Sequence, residues 1–199
     1  MKIVFGILAS YGENYDKFKE LWIKNISRFN KEDINFYFIY NEKVDKDINI
    51  LDFCDNYIVE MENSHYNFYY KYDEKMTLMD SMLYRSISLM EYIKTKNIEC
   101  DLFIRTNLST FFDLNTFLTW SNMIPKTKLF AGTVIDKFNS IYTCISGTNM
   151  IFTRDIVEFL VSNKDFILSE KEVHGDDQRI SNIIIENLDV CVLLVKRFD

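Results

Sequence analysis

Apolar positions fall into short runs separated by stretches with helical spacing. Residues 2–9 are nearly continuously apolar and predict a buried first strand, which ends in the loop Ser10-Tyr11-Gly12. From Asn14 to about Phe29, the side chains of Phe18, Leu21, Trp22, Asn25 and Phe29 return to nearly one face, as in an amphipathic helix. Residues 34–40 are dense in aromatic and β-branched side chains and predict a second strand, with a further candidate at 56–60. Residues 63–71 are aromatic and polar and lack helix signals, so the pattern predicts a loop there. The longest helix is predicted from Lys75 to about Lys96. Met76, Met79, Leu83, Ile87 and Met90 make one stripe, and Leu78, Met82, Arg85 and Leu89 make its neighbour. A helix apolar over that width packs between a sheet and another layer, with the methionines as core filler.

Residues 101–106 form a predicted strand running into Asn107-Leu108-Ser109, and 113–123 a short helix. Strands follow at 129–134 and 150–153, with Ser146-Gly147 marking a close backbone approach before the second. Thr153 is placed to cap a helix over 154–162. His174-Gly175-Asp176-Asp177 opens a helix carrying Ile180, Ile183, Ile184 and Asn187, and 189–195 is a closing apolar strand. Strands alternating with helices predict an α/β architecture, a mostly parallel central sheet flanked by helices. No repeat, low-complexity block or linker divides the chain, so 1–199 reads as one domain. Ligands of such sheets sit at the carboxyl ends of the strands, near a switch in strand order. Residues 10–14, 105–110 and 174–177 are therefore candidate walls of a site.

Charge narrows the function classes. The 23 basic and 30 acidic residues leave a net charge of −7, with no basic run, which argues against sequence-independent nucleic-acid binding. A single nucleotide in a pocket needs only one or two well-placed cations and stays compatible. Cys54, Cys100, Cys144 and Cys191 lie far apart without a CxxC pair and read as reduced thiols. No apolar run approaches the roughly 18–20 residues of a membrane span, and the apolar start lacks a small-x-small cleavage site. A soluble, cytoplasmic protein is the expectation. The scarcity of Ala and Pro beside abundant Ile, Asn, Lys, Tyr and Phe reads as the codon bias of an AT-rich genome, such as that of a large DNA virus, an AT-rich bacterium or a protist.

Three segments could carry chemistry. In His174-Gly175-Asp176-Asp177-Gln178-Arg179, adjacent carboxylates at a helix start can cap free N–H groups. Alternatively one of them faces the cleft as a general base for a sugar hydroxyl. His174, one of two histidines, is as compatible with packing as with a site. Arg105-Thr106-Asn107-Leu108-Ser109 brings a cation and short polar groups to a strand end, suited to a diphosphate, a ribose or a metal, or to satisfying its own loop backbone. Lys71, Lys75 and Arg85 could offer charge to phosphates, or simply face solvent, and Ser10-Tyr11-Gly12-Glu13 could meet a nucleobase. Dinucleotide-binding GxGxxG, P-loop, GxSxG and HExxH signatures do not occur. A nucleotidyltransferase would want a Gly-rich, basic first loop, whereas residues 10–14 hold one Gly and no cation.

The order of segments resembles the beta-1,3-galactosyltransferase and Fringe-like glycosyltransferases of GT-A fold. Leu21-Trp22-Ile23-Lys24 stands where their first helix ends near a Trp, and Ser64-His65-Tyr66-Asn67 with Lys75 loosely echoes a D-x-Y-x-N stretch before a lysine-led helix. Cys100 and Arg105-Thr106-Asn107-Leu108-Ser109-Thr110-Phe111 stand at the K-x-D-D-D-V-F strand. Residues 146–157, from Ser146-Gly147 through Thr153-Arg154-Asp155 to Ile156-Val157, match S-G-x-x-Y-V-L-S-R-D-L-V closely, and Asp176-Asp177-Gln178 matches E-D-V. The resemblance implies a GT-A-like domain that transfers a sugar, with inversion, from a nucleoside-diphosphate sugar to a glycan or other hydroxyl acceptor.

Under that resemblance Asp177 is the base, with Asp176 as its understudy. Ser10, Tyr11, Lys75, Arg85, Arg105, Thr106, Asn107 and Ser109 hold the donor, and Gly147 and His174 lie near sugar or acceptor. The chain departs from the pattern where D-x-D carboxylates would hold Mn²⁺ or Mg²⁺, because Asn107 and Ser109 stand there. Losing two anionic oxygens weakens a divalent site. Either the ion is held weakly, mainly by the diphosphate, or, as the preferred expectation, cations such as Arg105 and Lys75 neutralise the leaving group without it; the third alternative is a non-catalytic GT-A-like domain that binds a sugar nucleotide or a partner.

Overall fold

The apolar run at the amino terminus forms β1 (Ile3–Leu8), a strand buried along its whole length. The computed structural model describes residues 1–29, 33–41, 50–54, 57–62, 64–71, 76–135, 144–169 and 175–195. After β1 come α1 (Glu13–Ile26), β2 (Ile34–Asn41), β3 (Ile50–Cys54), β4 (Tyr57–Glu62), β5 (His65–Tyr70), α2 (Leu78–Thr95), β6 (Leu102–Asn107) and α3 (Leu114–Ser121). They continue as β7 (Leu129–Gly132), β8 (Val134–Ile135), β9 (Cys144–Ile145), β10 (Asn149–Thr153), α4 (Arg154–Ser162), α5 (Lys164–Ser169), α6 (Asp176–Asn187) and β11 (Cys191–Leu194).

Among the described residues the main sheet has nine strands, in the order β11-β7-β10-β6-β1-β2-β5-β4-β3, and β8 pairs with β9 separately. β10 is antiparallel to both its neighbours, as is β4, so the other seven strands share one direction. The sheet is thus mostly parallel, as the alternation of elements implies.

Side chains alternate across it. Ile3, Phe5 and Ile7 join Trp22 and Ile26 of α1 and Leu114 and Phe117 of α3 on one face. Val4 and Leu8 join Leu83 and Ile87 of α2, Ile156 and Leu160 of α4, Ile167 of α5 and Ile180 of α6 on the other. Burying each such side chain contributes about 1.5–3 kcal/mol, which fixes the register of every strand pair, since a one-residue slip would exchange the faces. On the α1 face Phe5 stacks on Phe36 at 5.0 Å and meets Phe112 and Phe117 edge-on at 5.5 and 5.6 Å. Trp22 donates its indole N–H to Leu108 O at 3.0 Å, tying α1 to the end of β6.

Several elements differ from the sequence expectation. Residues 65–70 form β5 rather than a loop: the sheet continues past β2, and buried His65 and Asn67 replace the apolar alternation that marks a half-exposed strand. Strand β3 and helix α5 had no clear pattern in the sequence. Thr153 stands at the amino cap of α4, but its hydroxyl accepts from Leu129 N at 3.0 Å instead of capping the helix. Leu83, Ile87, Leu89 and Met90 of α2 are buried, as a two-sided helix requires. Cys100 and Cys144 are buried thiols outside any disulfide among the described residues, and Cys191 is an exposed one. Among the described residues, no helix is long and apolar enough to cross a membrane.

Candidate functional site

Strand order reverses at β1, with β2 on one side and β6 on the other, both parallel to it. Open α/β sheets leave a crevice at the carboxyl ends of such strands. That rule points here to the space between the loop starting at Ser10 and the tip following Asn107. Leu108 N donates to Leu8 O at 3.0 Å, carrying the ladder one step past the strands before the tip turns at Asn107 O···Thr110 N, 3.0 Å.

The reversed strand β10 starts where β6 ends, with Asn149 opposite Thr106. The turn before it, Ser146-Gly147-Thr148, is therefore delivered to the same end of the sheet. Thr106 Oγ1 donates to Thr148 O at 2.6 Å, and Ile145 N donates to Ser181 Oγ of α6 at 3.0 Å, docking that helix beside the turn. Gly175 caps α6 at φ 94°, in the left-handed region, and a Cβ there would meet Asp177 Oδ1 at 2.9 Å. A glycine lets the chain enter the helix with both carboxylates in its first turn.

These elements bring the acidic pair against the polar end of β6. Arg105, 1% exposed, donates from Nη2 to Asp176 Oδ2, itself buried. Arg105 Nε and Nη1 have no hydrogen-bond partner among the described residues. A Cβ on Gly147 would lie 1.7 Å from Nη1, so only glycine leaves room for the guanidinium. Gly147→Ala is expected to lose about 1–3 kcal/mol of stability, as overpacked cores do, measured by urea unfolding. Half-buried Asp177 accepts from Gln178 N at 2.9 Å through Oδ1, and its Oδ2 lies 3.4 Å from Gly147 N.

Burial governs the charges. It pushes the Asp176 carboxyl above its ordinary value against the pull of Arg105, with the neighbouring Asp177 adding to the rise. It lowers the Arg105 guanidinium, which Asp176 and then Asp177 counteract. Arg85 is lowered to about 10 by burial and by the like charge of Arg105, and so stays cationic at neutral pH. Its Nη1 donates to Ala9 O at 3.0 Å and Ile39 O at 3.2 Å, lashing the carboxyl ends of β1 and β2 to α2. Arg85 thus braces the loop that starts at Ser10 and does not present an open charge, as a direct donor contact would require. Arg105, similarly, meets Asp176 rather than open solvent.

The other expected residues that are described lie at or just past the carboxyl ends of β1 and β6. Ser10 and Ser109 are exposed, Asn107 is half-buried and Thr106 buried. Tyr11, 55% exposed, stacks on Tyr40 at 5.0 Å, and Tyr40 on Tyr69 at 5.6 Å. Lys19 Nζ lies 5.4 Å from the Tyr40 ring centroid. Tyr40, Tyr69 and Lys19 did not emerge from the sequence; strand-terminal aromatics in the second strand and in the mistaken loop were the available signal. Lys75 and His174 lie outside the described residues.

Asn107 and Ser109 offer neutral oxygens only, and Asp176 is already neutralised by Arg105. That donor set does not fit a tightly held divalent ion, which wants several anionic oxygens. A cavity of about 270 Å³, lined by Met1, Ile3, Phe29, Ile34 and Leu118 among others, opens at the amino ends of β1 and β2, away from this chemistry.

No protein-family model and no curated protein matches the chain. Among solved structures it is similar to the 4-diphosphocytidyl-2C-methyl-D-erythritol synthase of Anaerococcus prevotii DSM 20548, with a TM-score of 0.51 and 15% identity over 98% of this chain and 86% of that one. Identity at that level speaks to architecture alone: this is an α/β domain with a large, mostly parallel sheet between helices, the architecture it shares with that synthase.

Proposed function

We propose that the chain is a glycosyltransferase moving a sugar from a nucleoside-diphosphate donor to a hydroxyl acceptor, with Asp177 as general base. The observation that carries this reading is the half-buried Asp177 carboxylate, 3.4 Å from Gly147 N, beside the polar end of β6 at the switch in strand order. The name of the structurally similar synthase, with its diphosphocytidyl group, is in keeping with a nucleotide diphosphate in this fold.

In the reaction, Asp177 takes the proton of the acceptor hydroxyl as its oxygen attacks the anomeric carbon. The bond from that carbon to the diphosphate oxygen breaks, the nucleoside diphosphate leaves with the electron pair, and configuration inverts. Ser10 and Tyr11 meet the base; Thr106, Asn107 and Ser109 line the diphosphate; Gly147 allows close approach of the sugar, with His174 near the acceptor. Developing negative charge is met by cations rather than by a tightly bound metal. Arg85 and Arg105 supply two positive charges against the carboxylates of Asp176 and Asp177, and the balance turns to one net positive charge as Asp177 takes up the acceptor proton, in a poorly solvated region where such a field acts strongly. Lys75 is the further cation in this role.

A second reading, a non-catalytic domain binding a sugar nucleotide or partner, is favoured by the engagement of Asp176 with Arg105 and by the neutral side chains at Asn107 and Ser109. A thermal-shift panel of nucleoside diphosphates and their sugars, with and without Mn²⁺, tests the ligand class. A matching donor at a hundredfold excess over its Kd should stabilise by roughly 2.7 kcal/mol. Mn²⁺ should add little, and a strong Mn²⁺ enhancement would overturn the cation-based neutralisation. Absence of a shift with every nucleotide would remove the reading itself.

A further inference from the structure

The Arg105–Asp176 pair has a property that a purely structural ion pair would lack. Arg105 is fully enclosed, yet only Nη2 has a hydrogen-bond partner among the described residues, and Nε and Nη1 are left unmatched. Buried guanidinium groups ordinarily satisfy their fork of donors, because each unmatched N–H loses its water without replacement. The cover over Nη1 is the bare backbone of Gly147, in the turn before β10. A second buried guanidinium, Arg85, lies close enough for its charge to be felt at Arg105 and Asp176. The cluster therefore has more cationic donor capacity than its one enclosed carboxylate can use, at the end of the sheet where the crevice opens.

We propose that the Arg105–Asp176 pair is a latch on an anion site: a diphosphate entering the crevice takes Arg105 from Asp176, and Asp176 sets the affinity by competing for it. The proposal rests on the preceding reading only for the identity of the natural anion. The planar fork of Arg105 suits two oxygens of a diphosphate as well as it suits a carboxylate. When the anion is absent, Asp176 closes the fork and keeps a buried cation from standing alone. When it is present, Arg105 turns to it, and Asp176 is left beside Asp177 with its counter-ion withdrawn.

Inorganic pyrophosphate is the probe, titrated calorimetrically into the full chain. Asp176→Asn should bind it roughly tenfold more tightly than wild type, because the competitor has lost its charge. Arg105→Met should not bind it detectably. Asp189→Asn removes the same formal charge from a fully exposed side chain before the amino end of β11, so its effect should stay below about twofold, which separates competition from a general change in net charge. If Asp176→Asn does not fold, the wild-type chain decides: saturating pyrophosphate must move the guanidinium nitrogen resonance of Arg105. Equal or weaker binding by folded Asp176→Asn, retained binding by Arg105→Met, or an unmoved Arg105 resonance would each overturn the latch. A latch that fails beside Asp177-dependent donor turnover leaves the proposed function standing. A latch that holds in a chain without turnover leaves only the anion site.

Discussion

Asp177→Asn should lower donor turnover by about 10²–10⁴-fold, the usual contribution of a positioned general base, while leaving the fold intact. The amide oxygen can keep the contact with Gln178 N that Oδ1 makes at 2.9 Å, so the first turn of α6 is preserved. What the amide cannot do is accept a proton. The matched control is Asp113→Asn, at the far end of a different loop, where the carboxylate caps α3 through Thr116 N at 3.2 Å. That change should leave turnover unaltered. Donor hydrolysis and transfer to a hydroxyl acceptor, followed for both variants, check the assignment. If Asp177→Asn retains wild-type turnover, Asp177 is not the base.

Arg105→Met should cost about 3–5 kcal/mol, because it leaves Asp176 buried without its counter-ion. For a chain of this length that corresponds to a fall in Tm on the order of 10 °C. Replacing both partners, Arg105→Met with Asp176→Leu, should recover most of the loss, since two apolar side chains of similar volume remove the desolvation penalty together. Thermal unfolding of wild type, the single variant and the pair measures this directly. A double variant no more stable than the single one would mean that the guanidinium matters through its packing instead of its charge.

The sheet was legible in the sequence where strands are buried on both faces and bounded by loops, as at residues 2–9, 34–40, 101–106 and 150–153. It was not legible at β5, where His65 and Asn67 point inward and aromatic side chains face both ways. Periodicity detects contrast between faces, and that strand has little. Of the three segments expected to wall the site, the end of β6 and the start of α6 are joined by the Arg105–Asp176 contact. The roles of the two arginines were not legible. Arg85 sits on an apolar stripe of α2, and nothing local says that its guanidinium will reach Ala9 O and Ile39 O, 76 and 46 residues away in sequence. Thr153 teaches the same lesson at short range: a residue with the right identity for a helix cap was claimed by a neighbouring strand.

The backward course of β10 has a consequence for how this fold can diversify. Loops that follow forward strands and the loop that precedes a reversed one converge on one rim. Lengthening or shortening the connection between Ile135 and Cys144 leaves every rung of the main ladder untouched. Variation in length there would therefore leave the hydrogen-bonded scaffold of the described strands as it is.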